Sequence, residues 1–322
     1  MDYTVVIRTL GTAGDYYQRT LDSLLEQSIK PQAVIIYIAG GYPIPKETIG
    51  IERYVYVKKG MVAQRALDYN EVNTQFILFL DDDVNLPSNG VETLYNELNE
   101  MQGDVISPCV FYNHKASIKS KIIRTLTGKE VCRLYNDKWA YKVLRTGGFS
   151  DNNKPVKPVY ESTTNAGPCF FCKKEDFLKI HFEEELWLDD APYALPEDQV
   201  MYYKMHLLGL KVLTSFDSGI IHLDAGSATV NTPDRIARLV YSEYRNKLIF
   251  WYRFIFCPEK SLLKRIWAVV CLCYTIGIQT VKYTIKLLLG NVNLGNAFFR
   301  GVKDAVFYLS SKEYKPFNKY GA

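Results

Sequence analysis

FILFLDDDVN, residues 76–85, decides how the rest of the chain is read. Five apolar residues, Phe76 to Leu80, run straight into three carboxylates, Asp81, Asp82 and Asp83. Adjacent carboxylates repel one another and disfavour joint ionisation. One or two aspartates at a strand end commonly cap a turn. Three call for a counter-charge, and no lysine or arginine lies nearby in sequence to supply it. A hard divalent cation would, since Mg²⁺ or Mn²⁺ takes one or two carboxylates plus phosphate oxygens. Alternate residues of an extended segment point the same way, so the spacing directs Asp81 and Asp83 to one ligand and Asp82 elsewhere.

Outward from this stretch the chain alternates between two periods. Residues 3–10, 33–38, 53–57, 75–80 and 104–109 read as strands. Residues 16–28, 61–70 and 89–101 read as helices, the first with Asp15 as its N-cap. Short apolar strands alternating with helices predict a mostly parallel α/β sheet covered on both faces. Ligands of such sheets sit beyond the carboxyl ends of the strands, where the aspartates lie. The rhythm lapses over 113–165, an insertion or mobile acceptor-side loop with a short basic helix at 117–126. It returns with a strand and helix at 166–180, a helix at 196–209 and a strand at 210–215. From Thr232 the chain reads as helical. The domain division is therefore 1–230 and 231–322.

With 322 residues and a net charge of only +4, the chain affords a sizeable core and lacks the strong basic excess of a nucleic-acid binder. Seven cysteines, an odd number in apolar surroundings, read as reduced thiols. Cys169 and Cys172 form a CxxC without a second metal-binding pair, so a strand is expected there. The N-terminus gives no expectation of a signal peptide.

A second acidic pair, Glu197-Asp198, follows Pro196. Carboxylates favour helix N-termini on purely structural grounds. They also suit a general base within reach of a hydroxyl.

Five segments in order resemble family 2 glycosyltransferases of the GT-A fold: VVIRTLG, TLDSLLEQSIKPQAVIIYI, KKGMVAQRA, FILFLDDDV and PEDQVMYYKMHLLGLKV, together spanning roughly residues 3–225. The resemblance implies inverting transfer from a nucleotide-diphosphate sugar. It assigns Asp198 as catalytic base, with Glu197 orienting the base or the acceptor. The donor-binding set is Thr9, Arg65, Asp81, Asp82 and Asp83. Asp83 would hold Mg²⁺ or Mn²⁺, Asp81 would meet the ribose or the metal, and His222 would be a further ligand, against a plain core histidine. Asn165 and Gly167 would border the acceptor, although a plain turn explains them as well. Ala39-Gly40-Gly41 stands where the family usually carries an acidic residue, so UDP, dTDP and GDP all stay open. Ala66 replaces a common asparagine.

The tail raises the membrane question. Ile266 to Val281 is an uncharged stretch of 16 residues, and a spanning helix needs about 20. At 100° per residue, Lys264, Ala268, Cys271, Thr275, Lys282 and Lys286 share one side, with Gln279 at its edge. This suits either a helix lying in the membrane interface or one packed on the catalytic domain. The Arg245-Asn246 helix and the segment at 301–321 resemble bacterial relatives that build surface polysaccharides. Those imply a lipid-linked oligosaccharide acceptor, with the enzyme peripheral at the cytoplasmic face of the membrane. The rivals are a metal-dependent nucleotidyltransferase, whose Gly-rich basic loop is missing after the first strand, and a catalytically silent membrane-bound scaffold.

Overall fold

The computed structural model describes residues 1–110, 117–133, 137–152, 154–223 and 232–317. In chain order its first half comprises β1 (Tyr3–Thr9), α1 (Asp15–Leu25), β2 (Ala33–Ala39), β3 (Glu52–Val57), β4 (Phe76–Asp81), β5 (Val84–Asn85), α2 (Gly90–Glu100) and β6 (Val105–Pro108). Then come α3 (Ile118–Leu126), β7 (Glu130–Arg133), β8 (Tyr141–Val143), β9 (Phe149–Asn152), β10 (Val159–Ser162), β11 (Cys169–Lys173), α4 (Lys174–Leu178), α5 (Glu197–Leu207), β12 (Val212–Ser215) and β13 (Ile221–His222). Three long helices follow: α6 (Pro233–Phe250), continued by a π-helical turn over Trp251–Phe256, then α7 (Leu262–Leu288) and α8 (Val292–Ser310).

Eight strands form one sheet in the order β10-β12-β6-β11-β4-β1-β2-β3. Four of its seven pairings are parallel, and the antiparallel ones all involve β10 or β11. Both faces are apolar because the strand period of two sends neighbours to opposite sides. Val5, Ile7, Leu78 and Leu80 pack under α1 and α2. Val6, Ile77 and Phe79 pack against Val200, Met201 and Met205 of α5. This is the mixed α/β architecture of the GT-A fold, with helices on both faces.

Most expected elements form, with one clear exception. The helix expected at 61–70 is a run of turns. The Asp189 carboxylate accepts hydrogen bonds from the backbone N–H groups of Val62 (3.1 Å) and Ala63 (2.9 Å) and holds that segment from a distant part of the chain. Gly14, not Asp15, is the cap of α1. Within 113–165 the described residues carry α3, capped by Ser117, and a small sheet ordered β7-β9-β8. The Cys169/Cys172 pair lies on β11, one thiol in the core of each face, so a shared metal is excluded geometrically.

The C-terminal helices dock onto the sheet domain through its core. Ile249, Phe250 and Phe254 join the cluster that contains Phe79 and Phe170. Arg253 meets Glu185 at 2.9 Å, and Glu185 meets Lys204 of α5 at 2.9 Å, all three nearly inaccessible. Arg245 donates to the Trp187 carbonyl at 3.0 Å, and Asn246 to that of Tyr193 at 3.4 Å. The boundary drawn at 230/231 and the last residues of 301–321 lie outside the described residues.

Candidate active site

The site is built from the carboxyl ends of β1 and β4 and the first turn of α5. Parallel pairing places Arg8 of β1 directly beside Asp81 of β4. Arg8 Nε lies 2.7 Å from Asp81 Oδ1, and Arg8 Nη1 lies 2.9 Å from Glu197 Oε1. Arg65 enters from the turn segment. Its Nη1 is 2.7 Å from Glu197 Oε1 and 3.2 Å from Asp198 Oδ1, and its Nη2 donates to the Gly167 carbonyl at 3.0 Å. Two guanidinium groups thus serve three carboxylates.

Burial raises the pKa of Asp81, but the Arg8 and Arg65 charges outweigh it, and this carboxyl falls below its ordinary value. At Glu197 burial wins over the same two arginines and the carboxyl is raised. Its Oε2 has no hydrogen-bond partner among the described residues. Asp198 is different: its side chain is 38% exposed, enough to meet a substrate, while Glu197 is 2% exposed.

The three aspartates part company. Asp81 goes to Arg8. Asp82 accepts a hydrogen bond from the Thr9 hydroxyl, which in turn accepts one from the Gly11 N–H at 2.7 Å. Burial pushes Asp82 up to about 6; the Thr9 bond opposes this, and repulsion from Asp81 and Asp83 adds to it. Asp83 faces His222, with Oδ1 2.9 Å from Nε2. A short antiparallel ladder of β5 and β13 sets this pair, opposing His222 to Val84, and the Leu223 N–H donates to the Asp83 carbonyl at 2.7 Å.

Several of the expected site residues have partners that the sequence did not reveal. Asp81 is ion-paired with Arg8 while Asp83 faces His222, so the two carboxylates have different side-chain partners, and Arg8 supplies a counter-charge that the local sequence did not reveal. Arg65, expected at the nucleotide, is buried among carboxylates. Thr9 is likewise buried and committed to Asp82. Asn165, expected at the acceptor, donates to the Leu213 carbonyl (3.0 Å) and accepts from Thr214 (2.6 Å), so it fastens β12. Gly167 is the seat of the candidate base: a Cβ there would stand 1.9 Å from Asp198 Oδ1. Arg8 was missed, although an arginine inside an apolar strand was its signal.

Among the described residues no group of three or more His, Cys, Asp or Glu side chains is set to hold a metal. The Asp83–His222 pair still suits Mg²⁺ or Mn²⁺. It offers one hard oxygen and one imidazole nitrogen at the ligand edge of the sheet, leaving other positions for phosphate oxygens.

No family model and no curated protein matches the chain. Among solved structures, S. aureus TarS residues 1–349 superposes with a TM-score of 0.51 at 12% identity, over 96% of this chain and 83% of that one. GalNAc-T7, solved with UDP, GalNAc and Mn²⁺, aligns at 13% identity over 88% of this chain and 58% of that one, with a TM-score of 0.47. The first likeness bears on the fold alone, and the second falls below the level at which it carries weight.

Proposed function

We propose that the chain is an inverting, metal-dependent glycosyltransferase of the family 2 type. It moves a sugar from a nucleotide-diphosphate donor to a hydroxyl of a lipid-linked glycan in surface-polysaccharide synthesis. The observation that carries this reading is the position of Asp198. It is the exposed carboxylate of a buried ion-pair cluster, held at one oxygen by Arg65 and seated on Gly167 at the ligand edge of a GT-A sheet.

The residues divide the work. Asp198 takes the acceptor proton on the oxygen that Arg65 leaves free. Glu197, Arg8 and Arg65 hold it in place. Asp83 and His222 would hold the cation, which would supply positive charge for the leaving diphosphate. Transfer assays with UDP-, dTDP- and GDP-linked sugars test this: Asp198→Asn abolishes transfer and leaves donor binding intact. Transfer undiminished in Asp198→Asn would overturn the assignment of the base.

A peripheral position at the cytoplasmic face of the membrane is part of the proposal. Helix α7 is long and apolar enough to cross a membrane, and only 17% of its most apolar window is buried. Its inward stripe is Ala268, Thr275, Gln279 and Tyr283. Its outward face exposes Trp267, Val270 and Tyr274. The Tyr274 hydroxyl bonds the Leu126 carbonyl at 2.7 Å, so α3, with Ile118, Ile122 and Leu126 exposed, adjoins it. Two neighbouring apolar faces suit a bilayer surface.

A further inference from the structure

The inward flank of α7 holds a group of lysines with too few carboxylates to match. Lys129 ion-pairs with Glu243 of α6, both about a third exposed (31%). Among the described residues Glu243 is the one carboxylate ion-paired with this group. The Lys129 ammonium stands 5.6 Å from the Tyr244 ring centre, and Lys282 and Lys286 lie 5.0 and 5.9 Å from that of Tyr283. The two tyrosine rings meet edge to face at 5.5 Å, which brings Lys129 toward the Lys282–Lys286 pair. Burial holds Lys247 down to about 8, only partly offset by Glu243, with Lys129 adding repulsion. Partial desolvation lowers the otherwise exposed Lys282, with repulsion from Lys129 and Lys286 adding to it.

Gln279 supplies a second, independent observation. It is 1% exposed, and neither its amide nitrogen nor its amide oxygen has a partner among the described residues. It sits one helical turn from Thr275, which faces Gly128, and one turn from Tyr283, which faces Tyr244. It lies on the same buried stripe of α7 as those two residues. A buried amide left unpaired is unfavourable, so a polar ligand there has something to satisfy.

The cluster also connects to the candidate base. Gln199, next to Asp198 on α5, donates to the Gly147 carbonyl at 3.0 Å. A Cβ on Gly147 would lie 3.5 Å from Lys247 Cε. The excess cations thus lie between the catalytic helix and the helix whose outer face is apolar. An amphiphile with an anionic head and a hydrocarbon tail matches that arrangement.

We propose that Lys129, Lys247 and Lys282 bind the diphosphate of a polyprenyl-linked acceptor and so hold its sugar toward Asp198. This deepens the transferase reading and rests on it. The site is separate from the donor site at Asp83.

Flotation of the full chain tests it, with phosphatidylcholine vesicles carrying either polyprenyl diphosphate or a charge-matched amount of phosphatidylglycerol. The expected result is preferential binding to the diphosphate vesicles, competed by inorganic pyrophosphate. Lys247→Gln and Lys282→Gln each weaken it, by roughly tenfold where a charged hydrogen bond is lost. Lys282 is exposed, so its replacement leaves the fold intact. Equal binding to both vesicle types reduces the cluster to a general basic surface and overturns the proposal, as do variants that bind like the wild type. Nucleotide titration of the same samples separates the two claims. Loss of nucleotide binding with the vesicle preference intact would remove the transferase reading alone.

Discussion

Asp83 and His222 meet at 2.9 Å across a ladder of two residues per strand, although 139 positions separate them in sequence. The contact turns a run of three like charges into a carboxylate–imidazole pair with defined geometry. Replacing His222 with Asn keeps a polar group but removes the imidazole. Mn²⁺-dependent nucleotide affinity then falls by roughly tenfold or more, while metal-free affinity is unchanged. A calorimetric titration with and without Mn²⁺ reads both, and equal metal dependence in the variant would assign His222 to structure alone.

Gly167 leaves no room for a side chain beside Asp198. Gly167→Ala pushes the carboxylate off its seat. A displacement of about 1 Å at a reacting group costs roughly a hundredfold in rate. The expected outcome is a fall of that order in kcat with donor affinity preserved, since the donor ligands lie elsewhere. A kcat within twofold of wild type would show that Asp198 does not work from this position.

Glu97 of α2 gives a pH test of stability. Burial pushes its carboxyl up to about 7; the Ser215 bond opposes the shift, and Asp217 and Glu100 add to it. A folded pKa above the unfolded one means that the native state binds more protons between those values. Stability contributed this way is full below the unfolded pKa and is lost as pH rises through about 7. Glu97→Gln removes the loss and stabilises the protein by about 1–3 kcal/mol at pH 8. Urea unfolding at pH 5 and pH 8 measures it. Asp82, raised to about 6, adds a second decline over a lower range and leaves a residual slope in the variant.

The exposed face of α7 predicts where lipid touches. Trp267 is 59% exposed and Gln279 is 1% exposed on the same helix. With the other three tryptophans replaced by phenylalanine, fluorescence from Trp267 is quenched by brominated lipid. A tryptophan placed instead at Tyr283, on the inward stripe, is not. Quenching at both positions would mean that α7 leaves the protein surface, and quenching at neither would remove it from the membrane contact.

Much of the sheet was legible because strand and helix periods are local. Val5 and Ile7 face one way and Val6 the other whatever else the chain does, and the CxxC read correctly as a strand for the same reason. The segment 61–70 failed because its conformation is fixed by Asp189, more than a hundred residues away, which no local pattern reveals. The site divided along the same line. Sequence located Asp83 at a strand end and Glu197 and Asp198 at a helix start, but not what they touch. Arg8 was visible as a charge in an apolar strand, while its partnership with Asp81 depends on β1–β4 register. Gly167 looked like a turn glycine because its reason is the Asp198 side chain. The stripe on α7 was read with Gln279 at its edge; in the structure Gln279 is buried along with Ala268, Thr275 and Tyr283.

Calorimetric titration with UDP, dTDP and GDP, each with and without Mn²⁺, on the wild type and on Asp83→Asn, tests the central claim most directly. The account predicts that one nucleotide binds in a metal-dependent manner and that Asp83→Asn abolishes that dependence. Binding of no nucleotide under any metal condition would contradict it.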